Sequence, residues 1–576
     1  MTNKINPDVL GDVIEQRADF IPLEDLREET SEHDYFNNII DSLISRKLTL
    51  IEGPRGCGKT HMMRYASLMC QEDQAKPFGV YVSFNRYYRL EPLLTSNIDA
   101  ISMFHTWMLA QLLLAAYQTL KAIKPNLRED EIYKASNFVN LDKLTDLIVQ
   151  LERGGELSED ESLLERQLSV SSIKNIIDNF RTLSERKRAV LLLDDAALTL
   201  TPEYMKEFFD IFKNLKSISI TPKASVYPGT TEYGPRFHPT QEGDVQSVWL
   251  SVEEPSYSDT MGDIAKKRIK NLSEISDDVN EYLKMASFGI PRAYLTMLQE
   301  FQLGGFKTIQ QGLNRLIQQH IESRIKEFNS ITHKAPKLRN IIEVGNNVFG
   351  DICLMLKKAN LDIKVKNEKQ IKIGISDISE NPYVERMFNL LVEAGLLYQV
   401  AETVSHGSKR DYVRFIPHLA ALFYQKVFTA GEKGLSVKMV VDNLKLPSAK
   451  HPLRRSVSTL IKKEILNSLT FNLPPCASCG TDRMNQNQKF CHNCGAELIP
   501  VSTFEQCMSL PLYEVPGLTT WQMNKIKNEI PKFRNIGDFL SSQDPSKELR
   551  KAERIGYVRA EKIISLVQSF VDEFLQ

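Results

Sequence analysis

The sequence carries almost no net charge: 72 Lys and Arg stand against 73 Asp and Glu in 576 residues. Bulk attraction cannot drive nucleic-acid binding in such a chain, so any contact of that kind must come from local basic patches. Apolar runs are equally scarce. Met1 to Gln16 carries acids and lacks a long apolar core, which excludes a secretory signal there. Only Ala100 to Leu120 is uncharged and long enough to span a bilayer. Ser102, His105, Thr106, Gln111, Gln118 and Thr119 interrupt it, so it reads as a buried helix of a large core. The expected chain is soluble and cytoplasmic, with no membrane partner. Neither a long repeat nor a low-complexity tract occurs, and 42% hydrophobic with 25% charged residues excludes a disordered or fibrous chain. No aromatic interleaving of the basic stretches points to single-strand stacking. No separate effector domain, such as a nuclease, is evident.

Length alone predicts about four domains, and composition divides the chain further. Residues 1–255 mix short β-branched runs (Leu48 to Glu52, Gly79 to Phe84, Ala189 to Leu193, Lys223 to Pro228) with helical stretches. That alternation predicts an α/β core, a parallel sheet with helices on both faces. Arg128 to Leu168, rich in Glu and Asp, reads as a helical insertion. Residues 256–335 read as a helical lid. Within 336–430, the helix Pro382 to Ala394 precedes two strands, Tyr398 to Thr403 and Tyr412 to Ile416, around a basic turn, a winged-helix pattern. Residues 431–472 are read as a second helix-turn-helix, 473–500 as a cysteine cluster and 501–576 as an all-α tail.

Gly53-Pro54-Arg55-Gly56-Cys57-Gly58-Lys59-Thr60, with His61 next, matches GxxxxGK[ST] between an apolar strand and a helix. Its glycines let backbone N–H groups turn toward phosphates, and the helix N-terminus adds its positive end. Lys59 is expected to reach the β- and γ-phosphates of ATP and Thr60 to hold Mg²⁺. Ala189 to Leu193 then runs into Asp194-Asp195. Two such carboxylates after an apolar strand are costly without a cation. Asp194 is assigned to the Mg²⁺ shell and Asp195 to the attacking water.

The order of these motifs resembles the AAA+ ATPases of the origin-recognition initiator type and the neighbouring STAND signalling ATPases, in which an Asp-Asp pair is common. The resemblance implies adenine packing by Phe20-Ile21-Pro22 and a γ-phosphate sensor at Thr230 or Thr231. Gly289-Ile290-Pro291-Arg292 resembles the sensor-2 signature, with Arg292 directed at the nucleotide. Arg236 is offered as an arginine finger for a neighbouring subunit in a homo-oligomer. Many hydrolytic relatives carry Glu where Asp195 stands, so the resemblance leaves the hydrolysis rate open.

Cys476-x-x-Cys479 and Cys491-x-x-Cys494, eleven residues apart, have zinc-ribbon spacing. Four thiolates around one Zn²⁺ leave no open coordination position, so the expected metal is structural; its binding supplies folding energy that the short polar segment lacks. His492 reads as an exposed neighbour, and Cys57, Cys70, Cys353 and Cys507 as ordinary thiols. Downstream, Val515 to Ile526 and Ala552 to Ile564 resemble helix-hairpin-helix units, whose glycine hairpins offer N–H groups to DNA phosphates. That assigns Gly517, Lys525 and Lys527 to one unit and Arg554, Gly556, Arg559 and Lys562 to the other. One hairpin glycine per unit, where two are usual, leaves a protein-docking bundle as the alternative. Lys450, Arg454 and Arg455, in a stretch without acids, and Lys409-Arg410 at the wing tip complete the candidate nucleic-acid set, with duplex DNA favoured. The expected activity is ATP hydrolysis that controls DNA engagement. The runner-up is a STAND-like switch in anti-phage or anti-plasmid defence acting with a partner effector protein. A third is an adaptor that holds ATP without hydrolysing it.

Overall fold

A computed structural model describes residues 18–87, 90, 99–137, 139–153, 157–195, 201–405, 411–429, 436–470, 475–476, 478–484, 488, 490–498, 507–515, 518, 520–540, 542, 545–557, 559–560, 563–564, 566–567 and 570–571. The wing-tip pair Lys409-Arg410, the hairpin glycine Gly517 and Lys562 lie outside these residues, as does the side chain of Phe20.

Five short apolar strands build the first sheet: β1 (Thr49–Glu52), β2 (Phe78–Ser83), β3 (Ala189–Asp194), β4 (Ile220–Val226) and β5 (Asp244–Ser247). All pair in parallel, in the order β2-β3-β4-β1-β5. Parallel strands need crossover helices, which cover both faces; β3 and β4 are accordingly buried throughout. Because β4 lies between β1 and β3, its C-terminal end emerges between the phosphate loop and Asp194. The edge strand β5 is polar and mostly exposed, which is why its pattern carries no strand signal in the sequence.

The uncharged stretch forms the helix Ala100–Ile123, the one helix among the described residues long and apolar enough to cross a membrane. It is a core helix here. Trp107 is fully buried and donates to Glu152 Oε1 at 3.3 Å. Phe104 stacks on Tyr204 of the helix Pro202–Leu215, ring centroids 4.3 Å apart. The acidic insertion forms helices Glu129–Ala135, Leu144–Arg153 and Glu159–Gln167.

Helices Tyr257–Arg268, Asp277–Ala286, Pro291–Leu303 and Ile309–Lys334 follow the sheet. A second sheet then collects β6 (Ile373–Ser376), β7 (Leu397–Ser405), β8 (Asp411–Pro417) and β9 (Leu453–Ser456) in the order β7-β8-β6-β9. The helix Pro382–Glu393, capped by Asn381, precedes the β7–β8 hairpin as the winged-helix pattern predicts. The second helix-turn-helix of 431–472 is not what forms. After the helix Val437–Lys445, the basic run Leu453–Ser456 is a strand that pairs in parallel with β6, extending the wing sheet past residue 430. Leu453, at its start, packs with this module's core.

Candidate functional site

The phosphate loop joins β1 to the helix Lys59–Glu72. Lys59 is buried, its Nζ donating to the carbonyls of Gly53 at 2.5 Å and Pro54 at 3.3 Å. Burial pulls the Lys59 pKa down, against the opposing pull of Cys57, Asp194, Asp195 and Glu393. Its ammonium also lies 3.9 Å from the ring centroid of Tyr227, just beyond β4. Sequence reasoning passed over Tyr227, because nothing local marks an aromatic that meets the lysine across the sheet.

Asp194 ends β3, fully buried. Its Oδ1 accepts from Ser225 Oγ at 2.5 Å and its Oδ2 from the Tyr81 hydroxyl at 3.2 Å, and Thr60 bonds it as well. Asp195 adopts a left-handed backbone, φ 62°, and accepts from Ser83 Oγ at 3.0 Å. Burial raises both carboxyl pKa values, Asp195 well above its ordinary range because Asp194 adds like charge beside it. A divalent cation beside Thr60 and Asp194 would relieve that cost. The donor set of hydroxyl and carboxylate oxygens suits Mg²⁺, which binds through few protein ligands and the substrate phosphates.

The other expected residues divide. Arg292 begins the lid helix Pro291–Leu303, and its N–H donates to the Gly56 carbonyl at 3.4 Å, which brings the lid onto the phosphate loop. Gly56 permits that approach, since at φ 84° a Cβ there would stand 3.1 Å from the Arg292 Cβ; Gly289, at φ 75°, packs on Leu250, where a Cβ would stand 2.0 Å from the carbonyl oxygen. Arg55 faces Glu327 of the helix Ile309–Lys334 at 3.9 Å. Ile21 is buried and its carbonyl accepts from Arg64 Nη1 at 2.8 Å, whereas Pro22 is exposed. His61 bonds Thr30 Oγ1 at 2.8 Å, and burial holds its pKa down at about 4, so it faces the N-terminal segment as a neutral ring. Arg236 pairs with Asp210 of its own chain at 3.2 Å.

Thr230 and Thr231 follow β4, both buried. Thr231 Oγ1 accepts from the Tyr227 N–H at 2.9 Å, an intraloop bond. Thr230 meets the end of the helix Pro382–Glu393 instead. Glu393 Oε2 accepts from the N–H groups of Gly229 at 2.8 Å and Thr230 at 2.7 Å, and Glu393 Oε1 accepts from Thr230 Oγ1 at 2.9 Å. Gly229 permits the contact, since a Cβ there would lie 2.7 Å from the Leu390 Cα. Burial raises the Glu393 pKa, and the negative charge of Glu393 is felt at both Lys59 and Arg55. No local motif marks this glutamate.

The four cysteines converge as their spacing predicts, with all Sγ atoms within 4.8 Å of one another. Cys476 and Cys494 Sγ are 3.5 Å apart, as are Cys479 and Cys491 Sγ. Each pair sits on a matching knuckle: Gly480 N–H donates to Cys476 O at 2.8 Å and Gly495 N–H to Cys491 O at 2.9 Å. Four sulfurs about 2.3 Å from one tetrahedral Zn²⁺ would be about 3.8 Å apart, so the cluster fits that ion with little movement. In the basic set, Arg454 lies over the Tyr412 ring at 5.7 Å, and Lys450 is exposed just before β9. Gly556, Arg559 and Lys525 belong to the tail, where Lys525 pairs with Glu529.

A phosphate loop after β1, paired acids at the end of β3 two strands across the same parallel sheet, and a lid arginine on the loop define a nucleotide site of the P-loop type. Residues 16–224 match the ORC-CDC6-like family model, so that segment is similar to the ORC-CDC6-like family. Among solved structures, similarity extends to the Walker-type ATPase PABY2304 of Pyrococcus abyssi, at 11% identity over 69% of this chain and 95% of that one, with a TM-score of 0.35. It extends also to the Aeropyrum pernix Orc1 protein in complex with DNA, at 12% identity over 69% of this chain and 92% of that one, with a TM-score of 0.30. No curated protein matches the chain.

Proposed function

We propose that this protein is a cytoplasmic ATPase that binds ATP and Mg²⁺ and uses its nucleotide state to control engagement of duplex DNA by its C-terminal modules. The observation that carries the reading is the Glu393 contact. One carboxylate of the winged-helix module sits on the Thr230 loop within electrostatic reach of Lys59 and Arg55. A triphosphate drawn to Lys59 brings like charge toward Glu393, weakens its hold on Thr230 and frees the module to move. Thr230 then turns to the γ-phosphate as sensor, and Arg292 closes the lid.

For hydrolysis, Lys59 neutralises the phosphate oxygens while Thr60 and Asp194 hold the metal. Bound Mg²⁺ supplies charge stabilisation at the transferred phosphoryl group. Asp195 orients the attacking water and accepts its proton. The basic strand β9, with Arg454 over the Tyr412 ring, supplies a wing surface for phosphates, and the four-cysteine ribbon is a structural zinc module. The test is ATP turnover by purified protein with and without duplex DNA. Stimulation by the duplex supports the reading. Failure to turn over ATP in either condition overturns the enzymatic part.

Asp195 and Glu393 together favour a second reading, the STAND-like switch working with a partner effector. A short second acid hydrolyses slowly, and a latch holds the resting shape. Tightly retained ADP, with assembly into homo-oligomers only on a trigger, selects it over the first.

A further inference from the structure

Three tryptophans occur in the chain. Trp107 and Trp249 are buried, whereas Trp521 is 37% exposed on the tail helix Thr520–Glu529. Two cations reach its indole. Lys525, one turn along the same helix, has Nζ 5.9 Å from the ring centroid, and the guanidinium carbon of Arg559, from beyond Gly556, is 5.4 Å away. The two residues assigned separately to the two hairpin units thus converge on one ring. Arg559 is oriented by a 2.7 Å bond from Nη1 to the Arg554 carbonyl, and Lys525 is shared with Glu529. The same pairing recurs at Tyr513 with Lys527, 5.1 Å, and at the exposed Tyr557 with Arg550, 5.9 Å.

This arrangement revises the expectation from sequence, in which no basic stretch interleaves with aromatics. The interleaving is made in space, not along the chain. The tail buries Ile526, Phe533, Ile536 and Phe539 in its core and leaves Trp521 outside it. An exposed aromatic ring with two cations over it matches a ligand that offers a π face and an anion a few ångströms apart. An unpaired nucleotide has both, whereas a duplex keeps its base faces inside the stack. An acidic peptide would satisfy the cations and leave the indole face wet.

We propose that Trp521, Lys525 and Arg559 form a stacking site for single-stranded nucleic acid. The proposal rests on the reading of the chain as a nucleic-acid-engaging ATPase and adds strandedness to it. Such a site would let the tail hold an opened strand while the wing sheet holds duplex.

The test uses the full chain and an oligothymidylate, which forms no duplex of its own. Trp521 is the tryptophan accessible to iodide, so its emission reports the site directly. Binding is expected to quench that emission and to protect it from iodide. Trp521→Ala should weaken oligothymidylate binding at least about tenfold, while Trp521→Phe, which keeps a stacking face, stays within about threefold of wild type. Arg559→Gln should lower the salt slope of binding by about 0.7. Circular dichroism matching wild type shows that each variant is folded. A duplex of equal length, run in parallel, is expected to bind Trp521→Ala as it binds wild type. If the duplex fails to bind anything while the single strand still quenches Trp521, the duplex reading falls and this one stands. Absence of quenching, unchanged single-strand affinity in Trp521→Ala, or equal quenching by polyglutamate overturns the proposal.

Discussion

Replacing Glu393 by Gln removes one negative charge near the P-loop lysine while keeping the shape of a side chain that bonds Gly229 and Thr230. An amide oxygen still accepts from the two backbone N–H groups, so the modules stay packed and the change is electrostatic. Two unit charges 4 Å apart interact by about 4 kcal/mol at an effective dielectric of 20, and the effect falls with distance and with solvent screening. Relief of about 1–2 kcal/mol is therefore expected when a triphosphate binds opposite the neutral amide instead of the carboxylate, roughly 5- to 30-fold tighter binding. Calorimetric titration with ATP and Mg²⁺ reads this directly. A thermal series against pH provides an independent check. Burial raises the Glu393 pKa, so in the folded protein the charged carboxylate forms at higher pH than in the unfolded chain. Its contribution to stability is full below the ordinary carboxylate range and is lost as pH rises through the raised pKa. Wild type should lose stability over that window relative to Glu393→Gln. Equal or weaker ATP affinity in the variant, together with parallel pH profiles, would refute the latch.

Other predictions follow from single contacts. Lys59→Ala should weaken ATP binding by about a hundredfold or more, since a charged donor to phosphate is lost, and unchanged affinity by calorimetry would rule out the phosphate-loop assignment. Cys479→Ser should release zinc in a chelator assay and loosen the ribbon while ATP affinity stays as in wild type; retained zinc contradicts the four-sulfur site. Gly289→Ala places a Cβ 2.0 Å from the Leu250 carbonyl oxygen at φ 75°. It should destabilise the lid by about 2–4 kcal/mol, seen as an earlier onset of thermal unfolding. Asp195→Asn should keep nucleotide binding and lose turnover, and undiminished hydrolysis would show that another group positions the water.

The parts legible in the sequence are those whose partners lie close along the chain. Gly53 to Thr60 is a contiguous loop between a strand and a helix, so its backbone geometry follows from local residue types. Cys476 to Cys494 encodes its cluster by spacing, and the structure brings the four sulfurs together as that spacing requires. The β7–β8 hairpin was readable as two strands around a basic turn after a helix, and the helix Pro382–Glu393 forms where expected. The run Leu453–Ser456 misled because its basic residues carry no strand signal of their own. Its conformation is decided by hydrogen bonds to β6, far back along the chain, and by Leu453 joining the core.

The sequence by itself therefore determined the phosphate loop, the acids at the end of β3 and the four-cysteine set, because each is a local pattern with a local physical cause. The tertiary structure alone decided what surrounds them. Tyr227 meets Lys59 across the sheet, Glu393 reaches Thr230 over 163 residues, and Arg559 joins Lys525 on Trp521. Such pairings carry no periodicity or spacing for a sequence reading to detect. They arise when apolar faces are buried, and burial sets which distant polar groups are left face to face.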